Sequence, residues 1–213
     1  MALFQKRPQT GETIQFYTLG KNNTVLIVGL GNVGNEYEGT RHNVGFAVVD
    51  AFASRNDFPA WINKKDLKCH LTQHTIGDTR VILIKPTTFM NLSGEAVQAV
   101  ANFYKIMPAN IVVVHDELDI PFGQLRMRLG GSSAGQNGVK SVIQHIGEQF
   151  GRVRVGIGPK TPEQMDAADF VLARFNKEQE AHLGELVREA NAVLSEYVFS
   201  GQALITETRS FLI

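Results

Sequence analysis

The stretch that most constrains the fold is residues 25–50, VLIVGLGNVGNEYEGTRHNVGFAVVD. It opens with an apolar run typical of a buried strand, passes through a polar segment rich in glycine and asparagine, and ends in residues with a helical period. The apolar spacing from Val44 onward predicts a helix over about residues 44–55, with Asn43 as its N-cap. A strand, an irregular loop and a helix in so short a span indicate an open α/β sheet, which carries its functional groups in such loops.

The glycines of this stretch raise one alternative, a dinucleotide-binding site. Gly29, Gly31 and Gly34 have the G-x-G-x-x-G spacing, and Asp50 follows about twenty residues later, where such folds place a ribose-binding acid. That motif holds a pyrophosphate only where a helix begins at the glycines. Here NEYEGTRHN follows them without an apolar stripe, and Asp50 falls in the middle of the predicted helix. A nicotinamide-dependent oxidoreductase is therefore disfavoured.

Length and composition indicate a single domain. A chain of 213 residues with 43% hydrophobic content can bury a sizeable core. Its one cysteine, Cys69, excludes an internal disulfide and suits a reducing compartment. No run approaches the ~18 apolar residues of a membrane helix, and the N-terminus lacks the apolar core of a signal peptide. We therefore expect a cytoplasmic protein that does not associate with membranes.

Basic side chains are concentrated in one segment. The formal net charge of the whole chain is zero, yet residues 121–160 contain a single acid, Glu148. Such charge separation suits a protein that binds phosphates with one face without binding every nucleic acid. The basic residues of the segment are Arg126, Arg128, Lys140, Arg152, Arg154 and Lys160.

Further patterns predict the strands of a sheet. Residues 67–76 and 79–86, separated by Gly77 and Asp78, indicate an antiparallel hairpin. IVVVH, residues 111–115, has the β-branched character of a central strand that is buried on both faces. The alternating segments QLRMRL and RVRVGIG predict half-exposed strands whose arginines share one side.

Helical patterns complete the predicted fold. We expect a single-domain, three-layer α/β fold over residues 23–213, with a central mixed, mostly parallel sheet flanked by helices. Residues 1–22 indicate a loose N-terminal extension with strand composition at 13–19. An apolar stripe at 97, 100, 101 and 104 predicts one helix, and Asn137 is the predicted N-cap of another that ends at Gly147. A capping box at Asn176 and Gln179 predicts the start of a long helix that reaches about residue 200.

One cluster has the residue types of a metal site. His70 and His74 stand four apart beside Cys69, which would be ligand spacing on a helix. On a strand the two histidines would share a face with Thr72, and no carboxylate lies nearby to complete a ligand set. We interpret them as surface residues of a strand and expect no metal or organic cofactor.

Ester hydrolysis is the chemistry that the polar loop residues suit best. His42 can act as a general base, because a histidine is largely neutral at working pH. Asp116 follows a predicted strand and can orient that base, as a carboxylate does in a triad. No serine or cysteine stands in a nucleophile-elbow context, so we expect water to be the nucleophile. Asn32, Asn91 and Asn137 lie in three separate loops as neutral hydrogen-bonding groups, and each also fits a turn or helix cap.

Five ordered blocks of the chain resemble the bacterial-type peptidyl-tRNA hydrolase family. The resemblance covers about residues 24–175 and implies an enzyme that releases tRNA from peptidyl-tRNA for reuse in translation. The blocks are GLGNVGNEYEGTRHNVG (29–45), KPTTFMNLSG (85–94), VVHDELDIPFG (113–123), GGSSAGQNGVKS (130–141) and RVRVGIG (152–158).

The resemblance also implies roles for individual residues. It implies that His42 is the catalytic base, that Asp116 stabilises it, and that Asn32 positions the substrate and separates N-blocked from free aminoacyl esters. Arg128 and Arg154 match basic positions thought to clamp the 5′ phosphate of tRNA. The positions implied to bind peptidyl-tRNA are Tyr37, Phe89, Met90, Asn91 and Asn137.

Two positions depart from the family pattern. Val33 stands where the family often has proline, and Gln136 stands where it commonly has histidine, which argues against an ionisable group at 136. A non-catalytic RNA-binding paralogue, like the family relatives that act as splicing factors in plant organelles, remains the alternative. Otherwise we expect a monomer without an obligate protein partner.

Overall fold

The computed structural model describes residues 23–200 and 206–210. The predicted N-terminal extension, including the strand at 13–19, lies outside these residues. Within the described part of the chain, no helix is both long enough and apolar enough to cross a membrane.

The described residues form one eight-stranded sheet, in the order β2-β3-β4-β1-β5-β7-β6-β8. The four central strands β4, β1, β5 and β7 run parallel, while β3 and β6 run antiparallel to their neighbours. The predicted mixed sheet is thus confirmed. The strands are β1 (Asn23–Gly29), β2 (Ile62–Lys64), β3 (Cys69–Ile76), β4 (Thr79–Pro86), β5 (Ile111–Pro121), β6 (Gln124–Leu129), β7 (Gly151–Gly158) and β8 (Thr208–Ser210).

Helices cover both faces of the sheet, which gives the predicted three layers. On one face, a hydrophobic core that includes Phe52 and Leu186 lies under the first and last helices. On the other face, a core that includes Val97 and Val142 lies under the second and third helices. The capping box of Asn176 and Gln179 is confirmed. The helices are α1 (Val44–Arg55), α2 (Ser93–Tyr104), α3 (Asn137–Ile146), α4 (Ala167–Leu172) and α5 (Lys177–Phe199).

The hairpin β3-β4 is confirmed, so its two histidines lie on a strand and not on a helix. Cys69 is fully buried, His70 is half-buried and His74 is exposed. Burial raises the pKa of the Cys69 thiol to about 12. Among the described residues, no three histidine, cysteine, aspartate or glutamate side chains come together as a metal site.

The central strand β5 continues beyond His115, the last residue of the predicted strand. The prediction that Asp116 follows the strand is wrong, because β5 extends to Pro121. Its pairing with β1 stops at Val114, however, while its pairing with β7 continues. Asp116 therefore lies just past the carboxyl end of β1, next to the loop that follows it.

Candidate active site

The loop after β1 brings His42 to Asp116 through close packing of α1. Two short 3-10 turns, Asn35–Tyr37 and Arg41–Asn43, precede this helix, so it does not begin at the glycines. Gly45 lies in the first turn of α1, where an added Cβ would be 2.4 Å from the carbonyl oxygen of Val114 on β5. Because backbone cannot yield easily, only glycine permits this approach. The close contact fixes the start of α1 against the central strand.

His42 and Asp116 form a buried hydrogen-bonded pair. Nδ1 of His42 lies 2.8 Å from Oδ2 of Asp116, and the two residues are 9% and 2% exposed. Because an ionised carboxylate can only accept, this contact selects the tautomer of a neutral imidazole that has its proton on Nδ1 and leaves Nε2 as an acceptor. Nε2 has no hydrogen-bond partner among the described residues, and His42 lines the adjoining cleft. The pair can thus act as a base with its orienting carboxylate.

Asn32 presents a hydrogen-bond donor beside this pair. Its Oδ1 accepts a 2.8 Å hydrogen bond from the backbone N–H of Met90, and Nδ2 makes no hydrogen bond with the described residues. Asn43 holds the backbone of Asn32 at two points, accepting from its N–H at 2.8 Å and donating to its carbonyl at 2.9 Å. The side chain of Asn43 makes no capping hydrogen bond to α1. Its predicted capping role is therefore replaced by fixing Asn32.

The second oxygen of Asp116 is held by the residue that departs from the family pattern. Nε2 of Gln136 donates to Oδ1 of Asp116 at 3.0 Å, and its Oε1 accepts from the backbone N–H of Val139 at 2.8 Å. Gln136 is thus the N-cap of α3, and the prediction that Asn137 is the cap is wrong. Asn137 is the first residue of the helix, where its exposed side chain lines the cleft instead.

A cleft of about 540 Å³ opens beside the three catalytic candidates His42, Asp116 and Asn32. The start of α3 forms one wall, and the end of β5 with Glu117 and Asp119 forms another. The opposite wall is α4 with Val171 and Leu172, a short helix that no sequence pattern indicated. The cleft combines apolar surface with amide and carboxylate groups, as sites for small groups usually do.

Four of the five residues implied to bind peptidyl-tRNA lie outside the lining of this cleft. Tyr37 is half-buried in the first 3-10 turn, Phe89 is 62% exposed, and Asn91 is exposed in a turn at Met90–Leu92. Met90 itself is 5% exposed, and it acts through its backbone on Asn32. Of these five residues, the structure therefore places only Asn137 in the lining of the cleft.

The predicted phosphate clamp lies on the antiparallel pair β6 and β7. Arg126 pairs with Arg154 and Arg128 with Arg152, so the four side chains share one face. We call these four residues the arginine patch. Arg152 is buried, its guanidinium bonds the carbonyls of Gly131 and Ser132, and burial followed by the charges of Arg128 and Arg154 lowers its pKa to about 10.

The two predicted clamp residues, Arg154 and Arg128, differ in their hydrogen bonds and in their exposure. Nε of Arg154 donates to Oε2 of the buried Glu117 at 3.0 Å. Burial raises the pKa of Glu117, an effect that the charge of Arg154 opposes. Arg128 is exposed and makes no hydrogen bond with the described residues. Neither arginine lines the cleft, but Glu117 does, so the patch and the cleft meet at this carboxylate.

Comparison with known proteins agrees with the resemblance. The family model described as peptidyl-tRNA hydrolase matches residues 26–210. A relative named peptidyl-tRNA hydrolase from Ligilactobacillus salivarius is 42% identical over 185 residues, covering 86% of this chain and 98% of the relative. One of the same name from Alkaliphilus oremlandii is 44% identical over 180 residues, covering 84% and 95%.

Solved structures show the same fold. The crystal structure of peptidyl-tRNA hydrolase from Acinetobacter baumannii superposes with a TM-score of 0.77 at 35% sequence identity, covering 85% of this chain and 91% of that one. A match over nearly the whole described chain, at this identity and with this fold, shows the family. The chain belongs to the peptidyl-tRNA hydrolases, a family of ester hydrolases.

Proposed function

We propose that the chain hydrolyses the ester between a peptide, or an N-blocked amino acid, and the 3′ ribose of tRNA by activating water with His42. The observation that carries this proposal is the 2.8 Å contact between His42 and Asp116 at a cleft, where Nε2 of His42 has no partner in the described part of the chain. Family membership supplies the reaction. The catalytic roles are our inference from the geometry.

The proposed reaction begins with proton transfer from water to Nε2 of His42. The resulting hydroxide forms a bond to the ester carbonyl carbon, and negative charge develops on the carbonyl oxygen. Nδ2 of Asn32 is the free donor that can stabilise this oxygen. The imidazolium returns the proton to the ribose oxygen as the ester bond breaks, which gives a peptide acid and a tRNA hydroxyl. Asp116 stays ionised and stabilises the imidazolium.

The two ends of the substrate are proposed to meet different surfaces. Asn137 in the cleft offers a neutral amide to the peptide, as does Asn91 on the neighbouring turn, with Tyr37 and Phe89 as nearby contacts. Arg128, with Arg154, is proposed to bind a phosphate of the tRNA, because the exposed Arg128 makes no hydrogen bond with the described residues and so has its donors available. In this view the chain works in the cytoplasm, as a monomer without an obligate protein partner, and recycles tRNA during translation.

The test is release of the acyl group from N-acetylaminoacyl-tRNA by the wild type and by His42→Ala. We expect the variant to lose turnover by a factor on the order of 10² to 10⁴ and to retain tRNA binding. tRNA binding is followed in parallel as salt is raised, because phosphate contacts are salt-dependent. Salt-sensitive binding without turnover by the wild type would contradict the hydrolase proposal and favour the RNA-binding paralogue.

A further inference from the structure

We propose that Gln136 is a positioning residue of the catalytic pair, holding Asp116 in the orientation that His42 needs and doing so without a charge of its own. This inference rests on the proposed function.

The hydrogen bonds leave the amide of Gln136 only one orientation. A backbone N–H can only donate, so the atom that faces Val139 at 2.8 Å must be Oε1. An ionised carboxylate can only accept, so the atom that faces Asp116 at 3.0 Å must be Nε2. Both ends of the amide are therefore satisfied at once. A flipped amide would place its NH2 group against the N–H of Val139 and its oxygen against the carboxylate of Asp116, so neither hydrogen bond could form.

Asp116 needs such a partner because nothing local fixes its carboxylate. The terminal torsion of an aspartate is broad, and the 2% exposure of the residue leaves little room for water to take a lone pair. With Oδ2 on His42 and Oδ1 on Gln136, both oxygens are held from opposite sides. The direction of Oδ2, and through it the plane of the imidazole, thus depends on the position of Gln136.

Gln136 also contacts the residue that orients the donor Asn32. Its Nε2 lies 3.4 Å from Sδ of Met90, whose backbone N–H bonds Oδ1 of Asn32. Gly138 makes this approach possible, because an added Cβ there would be 2.5 Å from Sδ of Met90. The start of α3 is therefore packed against both arms of the site, the base with its carboxylate and the amide donor.

The surroundings favour an uncharged group at this position. A carboxylate at 136 would repel Asp116, and an imidazole would change its charge in the pH range where His42 must accept a proton. An amide donates at every pH. The charged and titratable groups that face this region are His42 before α1, Asp116, Glu117 and Asp119 on β5, Arg154 of β7 through Glu117, and Asp166 before α4.

The decisive variant is Gln136→Glu, with Gln136→Met as its matched control. A protonated glutamic acid keeps both hydrogen bonds, since its O–H can donate to Asp116 and its carbonyl can accept from Val139. When this glutamic acid ionises, it can still accept from the N–H of Val139, but it loses the O–H that donates to Asp116 and its negative charge repels that carboxylate. Methionine has a similar length and offers neither. Comparing the two separates the contact to Asp116 from the capping of α3.

We expect kcat for N-acetylaminoacyl-tRNA to be near the wild-type value for Gln136→Glu at acidic pH and to fall relative to the wild type as pH rises. Gln136→Met should lose on the order of 10-fold in kcat, as expected when a base is imperfectly oriented, with little change in KM. Thermal unfolding and tRNA binding of each variant are measured in the same buffers to show that the fold is kept.

A loss that is equal at every pH for Gln136→Glu, or one confined to KM in both variants, would overturn the proposal and make Gln136 a lining residue only. Wild-type kcat in Gln136→Met would overturn it as well. His42→Ala in the same assay distinguishes this failure from that of the proposed function. If His42→Ala is inactive while Gln136→Met keeps the wild-type kcat, only the positioning role is lost, whereas absence of wild-type turnover removes both.

Discussion

Two histidines contact Asp116 from different sides of β5, and only one of them faces the cleft. Nδ1 of His42 lies 2.8 Å from the side-chain carboxylate of Asp116, and Nδ1 of His115 lies 2.7 Å from its main-chain carbonyl. His115 is 1% exposed, and burial lowers its pKa to about 4, against the raising effect of its bond to Asp116. The two contacts thus have similar lengths, but one joins a histidine to a carboxylate and the other joins a histidine to a neutral carbonyl. The carboxylate beside His42 and its access to the cleft suit the proposed base, whereas the buried His115, beside a neutral carbonyl, is a neutral ring.

The two histidines also reach their positions by different means. His115 is part of β5, and alternation along the strand alone turns it away from Asp116. His42 comes from a loop that must be held against the strand by α1. One position depends on local geometry and the other on tertiary packing, so different changes should disturb them.

The largest expected effect comes from exchanging the acceptor of His42. Asp116→Asn should lower kcat by a factor on the order of 10² to 10⁴, because an amide no longer fixes the Nδ1–H tautomer or stabilises the imidazolium. His115→Asn is the matched control, and we expect it to keep most of the activity. The measurement is acyl release from N-acetylaminoacyl-tRNA at one pH. Comparable losses in both variants would break the distinction between the two histidines.

His115 should instead influence stability, with a defined dependence on pH. An unfolded chain binds a proton at this histidine near the ordinary pKa of 6.5, while the folded protein does so only near about 4. The unfolded state therefore binds more protons between these values, and the free energy of unfolding falls as pH is lowered from 6.5 to about 4. The contribution of this histidine should reach about 3 kcal/mol.

The check is denaturant unfolding of the wild type and of His115→Asn across this pH window. The variant has no titrating side chain at position 115, so its stability should fall less steeply with acid, whatever its absolute value. The difference between the two curves isolates His115 from the carboxylates, which titrate in both proteins. Parallel curves would show that His115 takes up its proton equally well in the folded state.

The packing that holds His42 can be broken at Gly45. Gly45→Ala places a Cβ against the carbonyl of Val114, which should cost about 1–3 kcal/mol of stability and reduce kcat by moving the start of α1. Gly184→Ala is the matched control, since a Cβ there meets no atom within 4 Å and alanine favours the helix by about 1 kcal/mol. Thermal unfolding and acyl release are measured together. Full activity in Gly45→Ala would mean that the position of His42 does not depend on α1.

The same contrast explains how much of the site the sequence could predict. IVVVH predicted a buried strand, and the alternation of side chains along a strand is enough to place His115 and Asp116 on opposite sides of β5. These are local properties with a period of two residues. The capping box of α5 was equally local and equally well predicted.

Contacts that depend on the packing of distant segments were predicted less well. Asn43 and Asn137 have the usual character of helix caps, yet one binds Asn32 and the other lines the cleft. Glutamine is not a favoured N-cap, and Gln136 takes that position because α3 packs against Met90. Short α4 lacks a full apolar period, and the ion pair between Glu117 and Arg154 joins two strands, so neither leaves a local signal.

The smallest expected effect concerns the other face of the sheet, where His115 lies beside Arg154 and the arginine patch. Arg128→Gln should weaken tRNA binding several-fold and lower the slope of log affinity against log salt by about 1, as removal of one phosphate contact does. Its kcat should not change, because the residue does not line the cleft. The exposed Lys177, at the start of α5, provides the control Lys177→Gln. An equal change of slope in both would mean that Arg128 contributes only general charge. A change in Arg128→Gln alone would show that this face of the sheet binds tRNA while the cleft carries out the reaction.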